Sequence, residues 1–210
     1  MTKPRFDIAE QVGLFGPDSL LPPEPQKYIN AGAQISADGK YRYLLWREWR
    51  GTHDPKNWRW LGGKDGAGKP FGEPKSVLFV MLNPSTADGE ADDPTIRRCV
   101  GFARAWKFER IEVVNLFAYR ATKPRDLFAL EAAGGDPIGW ENSGIVDAAA
   151  RDAGLVVCAW GAHGGFGEQD QTMRGWLGGK PQYALGFTKD GHPRHPLFAP
   201  LASPLMPMPD

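Results

Sequence analysis

The chain has 210 residues, of which 25 are basic and 25 acidic, and 41% are hydrophobic. This length suits one domain with a sizeable buried core, and the formal net charge of zero excludes a protein that coats nucleic acid through its overall charge. The 26 glycines and 19 prolines favour a sheet protein with many turns over a helical bundle.

Neither a membrane protein nor a secreted disulfide scaffold fits the sequence. No apolar run approaches the roughly 20 residues that a membrane helix needs, and the N-terminus shows no charged segment followed by an apolar one. The two cysteines, Cys99 and Cys158, show neither a CxxC spacing nor a spacing of metal ligands. We therefore expect a cytoplasmic protein with reduced cysteines, no metal and no other cofactor.

The zero net charge is the sum of two unequal stretches. Residues 40–125 carry 17 Lys or Arg against 10 Asp or Glu, whereas residues 126–170 carry one basic residue against eight acidic ones. Such a difference arises from ordinary solvated helix faces, or it marks a local positive surface for a polyanion. Both interpretations stay open at this level.

The chain divides into an N-terminal arm (residues 1–30), one α/β domain (31–198) and a proline-rich tail (199–210). Within the domain, the segments AGAQIS and KYRYLLWREW flank a turn at residues 37–40, which predicts a β-hairpin. A loop rich in Gly, Lys and Trp follows at residues 51–75.

From residue 76 onwards, apolar runs alternate with helical patterns. The predicted strands are residues 76–82, 111–117, 155–160 and 181–187, and the predicted helices are residues 94–106, 141–153 and 168–177. Asp93 followed by Pro94 is typical of a helix N-cap and first helical position. This alternation predicts a three-layer α/β/α sandwich with a central, mostly parallel four-stranded sheet, plus the N-terminal hairpin.

In parallel sheets a ligand site lies beyond the carboxyl ends of the strands. The four predicted strands lead into NPSTAD, NLFAYR, WGAHGG and TKDGHPRHP, so polar residues and glycines follow each of them. Each exit alone has a structural explanation: Asn-Pro-Ser is a good turn, and Asn115 could be a structural tie. The convergence of all four at one sheet edge instead indicates a functional site.

Two resemblances support this interpretation. The stretch LFVMLNPSTADGEADDPTIRRCVGFARAWKFERIEVVNLFAYRATKPRDL, about a quarter of the chain, resembles a bacterial family catalogued as domain of unknown function 1643. More distantly, VMLNPS, VVNLF, CAWGAH and GHPRHPL resemble, in that order, the strand exits of the uracil-DNA glycosylase superfamily. That second resemblance implies a uracil-DNA glycosylase-like fold.

The glycosylase resemblance implies a role for each strand exit. Asn83 would hold the attacking water beneath the sugar, and His192 or His195 would donate to the base oxygen, with the choice between the histidines left open. Asn115 would recognise the base, because an amide offers both a donor and an acceptor. The other residues expected to contact the base are Phe117, Tyr119, Trp160 and His163.

Basic and hydroxyl side chains at the same exits are candidates for phosphate binding, because a flipped nucleotide needs phosphate contacts on both sides of its pocket. The candidates are Ser85, Thr86, Arg97, Arg98, Arg120, Lys123 and Arg194. The alternative for Arg97 is an ion pair with Asp92 or Asp93, and for Arg98 a solvated side chain.

The chain also departs from the superfamily pattern. Asn83 stands where the fastest branch has Asp, which implies slower cleavage or a restriction to easily cleaved bases. Met81 and Leu82 stand where Gly is common, and the last motif lacks the Ser that follows His-Pro. No cysteine cluster is present, so the iron–sulfur branches do not fit.

The predicted function is a metal-independent N-glycosylase that acts on a flipped, damaged or modified base in DNA. Two alternatives remain: a catalytically silent module that binds nucleic acid or nucleotides, and an N-glycosidase of free nucleosides or nucleotides. The expected partner is therefore nucleic acid, DNA rather than RNA, or a nucleotide. We expect a monomer with no membrane partner.

Overall fold

The computed structural model describes residues 28–49, 76–85 and 91–209. Most of the predicted arm, the loop at residues 51–75 and the candidate Thr86 lie outside the described residues. The strands are β1 (Asn30–Ile35), β2 (Arg42–Glu48), β3 (Val77–Met81), β4 (Arg110–Asn115), β5 (Leu155–Cys158), β6 (Gln182–Ala184) and β7 (Met206–Pro207). The helices are α1 (Pro94–Ala105), α2 (Pro124–Ala132), α3 (Asn142–Asp152) and α4 (Gln169–Trp176). None of these described helices is long and apolar enough to cross a membrane.

The protein is a mixed α/β structure whose strands form one seven-stranded sheet in the order β1-β2-β4-β3-β5-β6-β7. The predicted strands β4, β3, β5 and β6 are parallel neighbours, which confirms the parallel centre of the sheet. The predicted hairpin is also confirmed, because β1 and β2 pair antiparallel.

The expected count of four strands in the central sheet is too small. The hairpin does not stand apart, because β2 also pairs antiparallel with β4 and extends the sheet at that edge. At the other edge β7, from the predicted tail, pairs antiparallel with β6. Both additions depend on pairing between distant segments, which local patterns do not report.

The sheet buries both of its faces. In β3, Val77, Phe79 and Met81 belong to a cluster that includes the apolar residues of α1. The alternate residues Leu78 and Val80 belong to a second cluster that contains residues of α2, α3 and α4. Because successive strand residues point to opposite faces, this double burial explains why the strand sequence is apolar throughout.

Helix α1 begins where the sequence predicts it. Asp93 Oδ1 accepts a hydrogen bond from the backbone N–H of Ile96 at 2.8 Å, and Pro94 occupies the first turn, where the backbone has no need of its missing N–H. The helix buries its apolar stripe, which consists of Ile96, Cys99, Val100, Phe102 and Ala103. This cap fixes the point at which the loop after β3 becomes helical.

We expect Asp93→Ala to lower the free energy of unfolding by about 1–2 kcal/mol, because the first turn of α1 loses its cap. The matched control is Asp126→Ala in the first turn of α2. Asp126 is half exposed and pairs with Arg125 only at 3.9 Å, so its loss should change stability by less than about 0.5 kcal/mol. Urea denaturation at neutral pH measures both, and equal stabilities of the two variants would contradict the cap's role.

Candidate functional site

A cavity of about 290 Å³ lies at the carboxyl ends of the central strands. From the β3 side it is bordered by Met81 at the strand end and by Asn83 just beyond it. Asn115 borders it from β4, Trp160 from the exit of β5, and His195 from the long segment after β6. We call it the first cavity. Its volume is near the lower end of pockets that hold small ligands, about 300–1,000 Å³. Its position matches the rule for ligand sites in parallel sheets.

Asn115 is the most informative residue of the first cavity. It is the last residue of β4, is only 1% exposed, and pairs with Met81 across the parallel strands. Neither its Nδ2 nor its Oδ1 has a hydrogen-bond partner among the described residues. A buried amide without hydrogen-bond partners destabilises the fold, so a structural role does not explain it. This amide is therefore available to a ligand that offers both a donor and an acceptor.

Asn142, a second buried asparagine, shows what a structural role looks like. Its Nδ2 donates to the backbone oxygens of Asn115 at 3.0 Å and Leu116 at 3.3 Å. Asn142 therefore holds the backbone at the end of β4 from the α3 side. The side chain of Asn115, by contrast, lines the first cavity and makes no hydrogen bond to any described residue.

The amide of Asn83 has a fixed orientation. Its Nδ2 donates to the backbone oxygen of Ala121 at 2.6 Å and to that of Pro84 at 3.0 Å. Two carbonyl acceptors require the NH₂ group at this position, so the amide cannot be flipped. Oδ1 of Asn83 then remains as an acceptor to which no described residue donates, at a residue that lines the first cavity.

Trp160 forms an apolar wall of the first cavity. The side chain is buried and its Nε1 has no hydrogen-bond partner in the described part of the chain. Gly164 passes directly against the indole: a Cβ on this residue would lie 1.9 Å from Trp160 Cδ1, so only glycine fits. The exposed His163 also lines the cavity, with its ring edge-on to Phe128 at 5.8 Å between centroids.

The structure separates the two candidate histidines. His195 lines the first cavity, and its Nδ1 accepts the backbone N–H of Leu197 at 3.3 Å, which places the ring proton of the neutral form on Nε2. His192 does not line this cavity; its ring instead lies near Gly165, where a Cβ would be 3.3 Å from Cε1. The sequence left open which histidine belongs to the site. The structure places His195, and not His192, at the cavity that Asn83 and Asn115 also line.

Burial is the main influence on His195. It lowers the pKa of the imidazole below its usual value, while the carboxylate of Asp93 opposes the shift. The neutral ring with its proton on Nε2 is thereby favoured. Such a ring is a hydrogen-bond donor that carries no charge of its own.

Two aromatic candidates lie away from the first cavity. Phe117 is buried in the core, with its ring 5.8 Å from that of Phe166, so it does not face a ligand there. Tyr119 borders an adjoining cavity of about 320 Å³, which we call the second cavity. Arg120 also lines the second cavity, whereas Ser85 lines both.

Several of the basic candidates are used within the fold. Arg97 Nη1 donates to the backbone oxygen of Asp92 at 2.7 Å, which differs from the expected ion pair with a carboxylate. Arg98 Nη2 donates to the backbone oxygen of Ala199, and its guanidinium lies over the ring of Phe102. Neither arginine lines the first or the second cavity.

Two further phosphate candidates, Arg194 and Lys123, also lie outside the two cavities. Arg194 Nη2 donates to the backbone oxygen of Phe187 at 3.1 Å, and the exposed Lys123 precedes the first residue of α2. Thr86 lies beyond the described residues. Of the seven candidates for phosphate binding, Ser85 and Arg120 are the two that the structure places at a cavity.

Three of the lining residues that were not anticipated from the sequence bear on the chemistry of the first cavity. Arg42, at the start of β2, is 3% exposed and borders the first cavity; a charged residue within the apolar pattern of a strand was the available signal. Asp93 was identified as a cap and as a possible partner of Arg97, yet it also lines the cavity, and its carboxylate accepts a hydrogen bond from the hydroxyl of Ser85. Phe198 lies at the mouth and is 76% exposed.

Comparison with known proteins gives one match. The family model described as "Protein of unknown function (DUF1643)" matches residues 42–197. The chain belongs to this family. The match begins at Arg42 and ends at Leu197, so it contains every residue named above at the first cavity except Phe198. No curated protein and no solved structure matches the chain.

We expect Asn115→Leu to leave the free energy of unfolding unchanged or to raise it by about 1 kcal/mol, because the substitution removes a buried amide that has no protein partner. Asn142→Leu is the matched control and should lower it by about 1–3 kcal/mol, because the backbone oxygen of Asn115 loses this donor and that of Leu116 keeps only Gln169 Nε2. Urea denaturation tests the pair. A large destabilisation by Asn115→Leu would show that this amide has a structural role.

The lowered pKa of His195 predicts a pH dependence of stability. A histidine that is harder to protonate in the folded state stabilises the fold fully above its unfolded pKa of about 6.5. That contribution is lost as the pH falls through this value towards the folded pKa. The wild-type protein should therefore lose stability relative to His195→Gln as the pH falls below about 7. Parallel curves of unfolding free energy against pH would contradict the assignment.

Proposed function

We propose that this protein is a metal-independent N-glycosylase that removes a flipped, damaged or modified base from DNA. The observation that carries the proposal is the unpaired amide of Asn115 at a cavity that also contains Asn83 Oδ1 and His195. The order of the four strand exits, and the arrangement as a three-layer sandwich, are the features that the proposal shares with the uracil-DNA glycosylase superfamily.

The chemistry follows from the charges that form during cleavage. The bond between the sugar C1′ and the base nitrogen breaks, and its electron pair leaves with the base. Positive charge then develops on the sugar and negative charge on the base. A water oxygen forms the new bond to C1′, and the proton that this water loses passes to solvent, leaving an abasic sugar. An enzyme for this reaction needs a held water, a donor for the base and a negative charge for the sugar.

The first cavity supplies one group for each need. Asn83 Oδ1 accepts a hydrogen bond from the water, which orients it although a neutral amide is not a strong base. Nε2–H of His195 donates to the base oxygen as its charge grows, and Asn115 binds the polar edge of the base. Asp93 contributes a carboxylate at the same cavity, and its charge favours a positive sugar.

The mouth of the first cavity supports DNA as the substrate. Leu197 and Phe198 line the cavity and are 44% and 76% exposed. Large apolar side chains are costly to leave in water beside a pocket. Proteins that bend or open DNA insert such residues between base steps, and a wedge of this kind compensates for the base that leaves the stack. A free nucleoside offers no such contact.

We expect the protein to release a base from duplex or single-stranded oligonucleotides that contain uracil, mismatched thymine or modified bases. Strand breaks after alkali reveal the abasic sites. Turnover should be slow, because Asn83 cannot accept a proton. Binding without breaks across this set would instead support a silent nucleic-acid-binding module, and the absence of both binding and breaks would overturn the proposal.

The variants separate the roles of the cavity residues. Asn83→Ala and His195→Ala should each lower the single-turnover rate about 100-fold or more, whereas His192→Ala should retain activity. Asp93→Asn keeps an effective helix cap but removes the charge, so it should lower the rate with little change in stability. Equal rates for His192→Ala and His195→Ala would contradict the assignment of the donor.

A further inference from the structure

The second cavity adjoins the first and has a different chemical character. Ser85, Ala121 and Thr122 line both cavities, so a ligand that fills the first can extend into the second. The second cavity is further lined by Lys40 and Arg120, and no acidic side chain is among the described residues that line it. Its wall therefore presents two positive charges to whatever enters.

Backbone pairing forces the two cations together. Tyr41 and Tyr119 form an antiparallel bridge, and the N–H of Arg120 donates to the backbone oxygen of Lys40 at 2.9 Å. Lys40 and Arg120 thus occupy opposing positions of a short antiparallel pair. Like charges directly opposite each other are destabilising, and an anion bound between them removes this cost.

Both cations keep donors for a ligand. Arg120 Nη1 donates to the backbone oxygen of Gly39 at 3.2 Å, which positions the guanidinium at the turn while most of its five N–H donors stay available. Lys40 Nζ lies 3.3 Å from Asp38 Oδ2; the side chain of Lys40 is largely exposed and that of Asp38 about half exposed. Exposed pairs of this kind contribute little, so a phosphate competes with Asp38 for the ammonium group.

We propose that the second cavity is a phosphate subsite, in which Lys40 and Arg120 bind the phosphate ester of the nucleotide whose base occupies the first cavity. This inference rests on the proposed function for the identity of the ligand in the first cavity. It assigns a phosphorylated nucleoside as the unit that the site recognises, and it adds Lys40, from the hairpin turn, to the residues that bind it. Ser85 stands at the boundary between base and phosphate.

The test compares ligands with and without the phosphate. The full-length protein is titrated with the five monophosphates dAMP, dCMP, dGMP, dTMP and dUMP, with the matched nucleosides, and with single-stranded oligonucleotides of the same bases. The best monophosphate should bind about tenfold or more tightly than its nucleoside. Only the affinity of the phosphorylated ligands should fall with added salt. Oligonucleotides that bind better than the free monophosphate identify a strand, rather than a free nucleotide, as the source of the phosphate.

The double variant Lys40→Gln, Arg120→Gln should lose this phosphate-dependent gain and bind the nucleoside as the wild type does. Arg125→Gln is the matched control, because Arg125 is a largely exposed arginine that lines neither cavity; it should change neither affinity. Circular dichroism confirms that each variant is folded.

Failure of the phosphate subsite and failure of the proposed function give different results. Equal affinity for nucleoside and monophosphate, or an equal loss in Arg125→Gln, overturns the phosphate subsite and leaves the proposed function standing. Failure of every nucleoside, nucleotide and oligonucleotide to bind, including the modified-base oligonucleotides of the activity assay, overturns both. Binding of inorganic phosphate alone, lost in the double variant, shows an anion site but overturns its assignment to a nucleotide.

Discussion

The pairing of β3 with β4 continues beyond the ends of both strands, and the candidate site depends on it. The N–H of Leu116 donates to the backbone oxygen of Met81 at 2.8 Å, and the side chain of Asn83 donates to the backbone oxygen of Ala121 at 2.6 Å. Two exits that would otherwise diverge are therefore held side by side. Asn83 and Asn115 face one cavity because the hydrogen bonds of the sheet extend into the loops that carry them.

Much of the sheet, and the start of α1, could be predicted from short sequence patterns. The buried strands appear as continuous apolar runs, and Asp93 followed by Pro94 indicates the start of α1. Helix α2 was not predicted, because Leu127 is the one residue of that helix which the structure buries, so its sequence has almost no apolar stripe. The two-residue β7 gives no local signal either, since its pairing with β6 is a tertiary contact.

The candidate site could be predicted in part, because short sequence patterns also give the ends of the strands. Asparagines at strand ends follow directly from strand positions and the parallel topology. The histidine register did not follow, because the segment after β6 folds back: the N–H of Arg194 donates to Gly186 O at 2.8 Å, and Gly161 donates to Pro193 O at 2.9 Å. The first bond folds the segment back on itself, the second attaches it to the exit of β5, and together they bring His195 to the first cavity. The spacing of residues along the sequence does not predict a turn that is formed by tertiary hydrogen bonds.

The uneven charge along the sequence has, in part, a structural explanation. Arg47 is fully buried and donates to Asp92 Oδ1 at 2.7 Å, and Arg98 is bound to a backbone oxygen. Part of the basic surplus therefore holds the fold together and is unavailable to a polyanion. Among the described residues, the cations that line a cavity are Arg42 in the first and the pair Lys40 and Arg120 in the second.

The contrast between the two buried asparagines shows how a residue that serves a ligand can be separated from one that serves stability. Asn142 uses its NH₂ group to hold two backbone oxygens, so selection for a stable fold explains it. Asn115 has no such bonds among the described residues, and an apolar residue of similar size would serve the fold as well or better. A binding role for its side chain explains why a residue that lowers the stability of the fold is present. Because Asn115 lies on a central strand and not on a loop, its position is set by the sheet before any ligand arrives, so binding does not require the site to be ordered first.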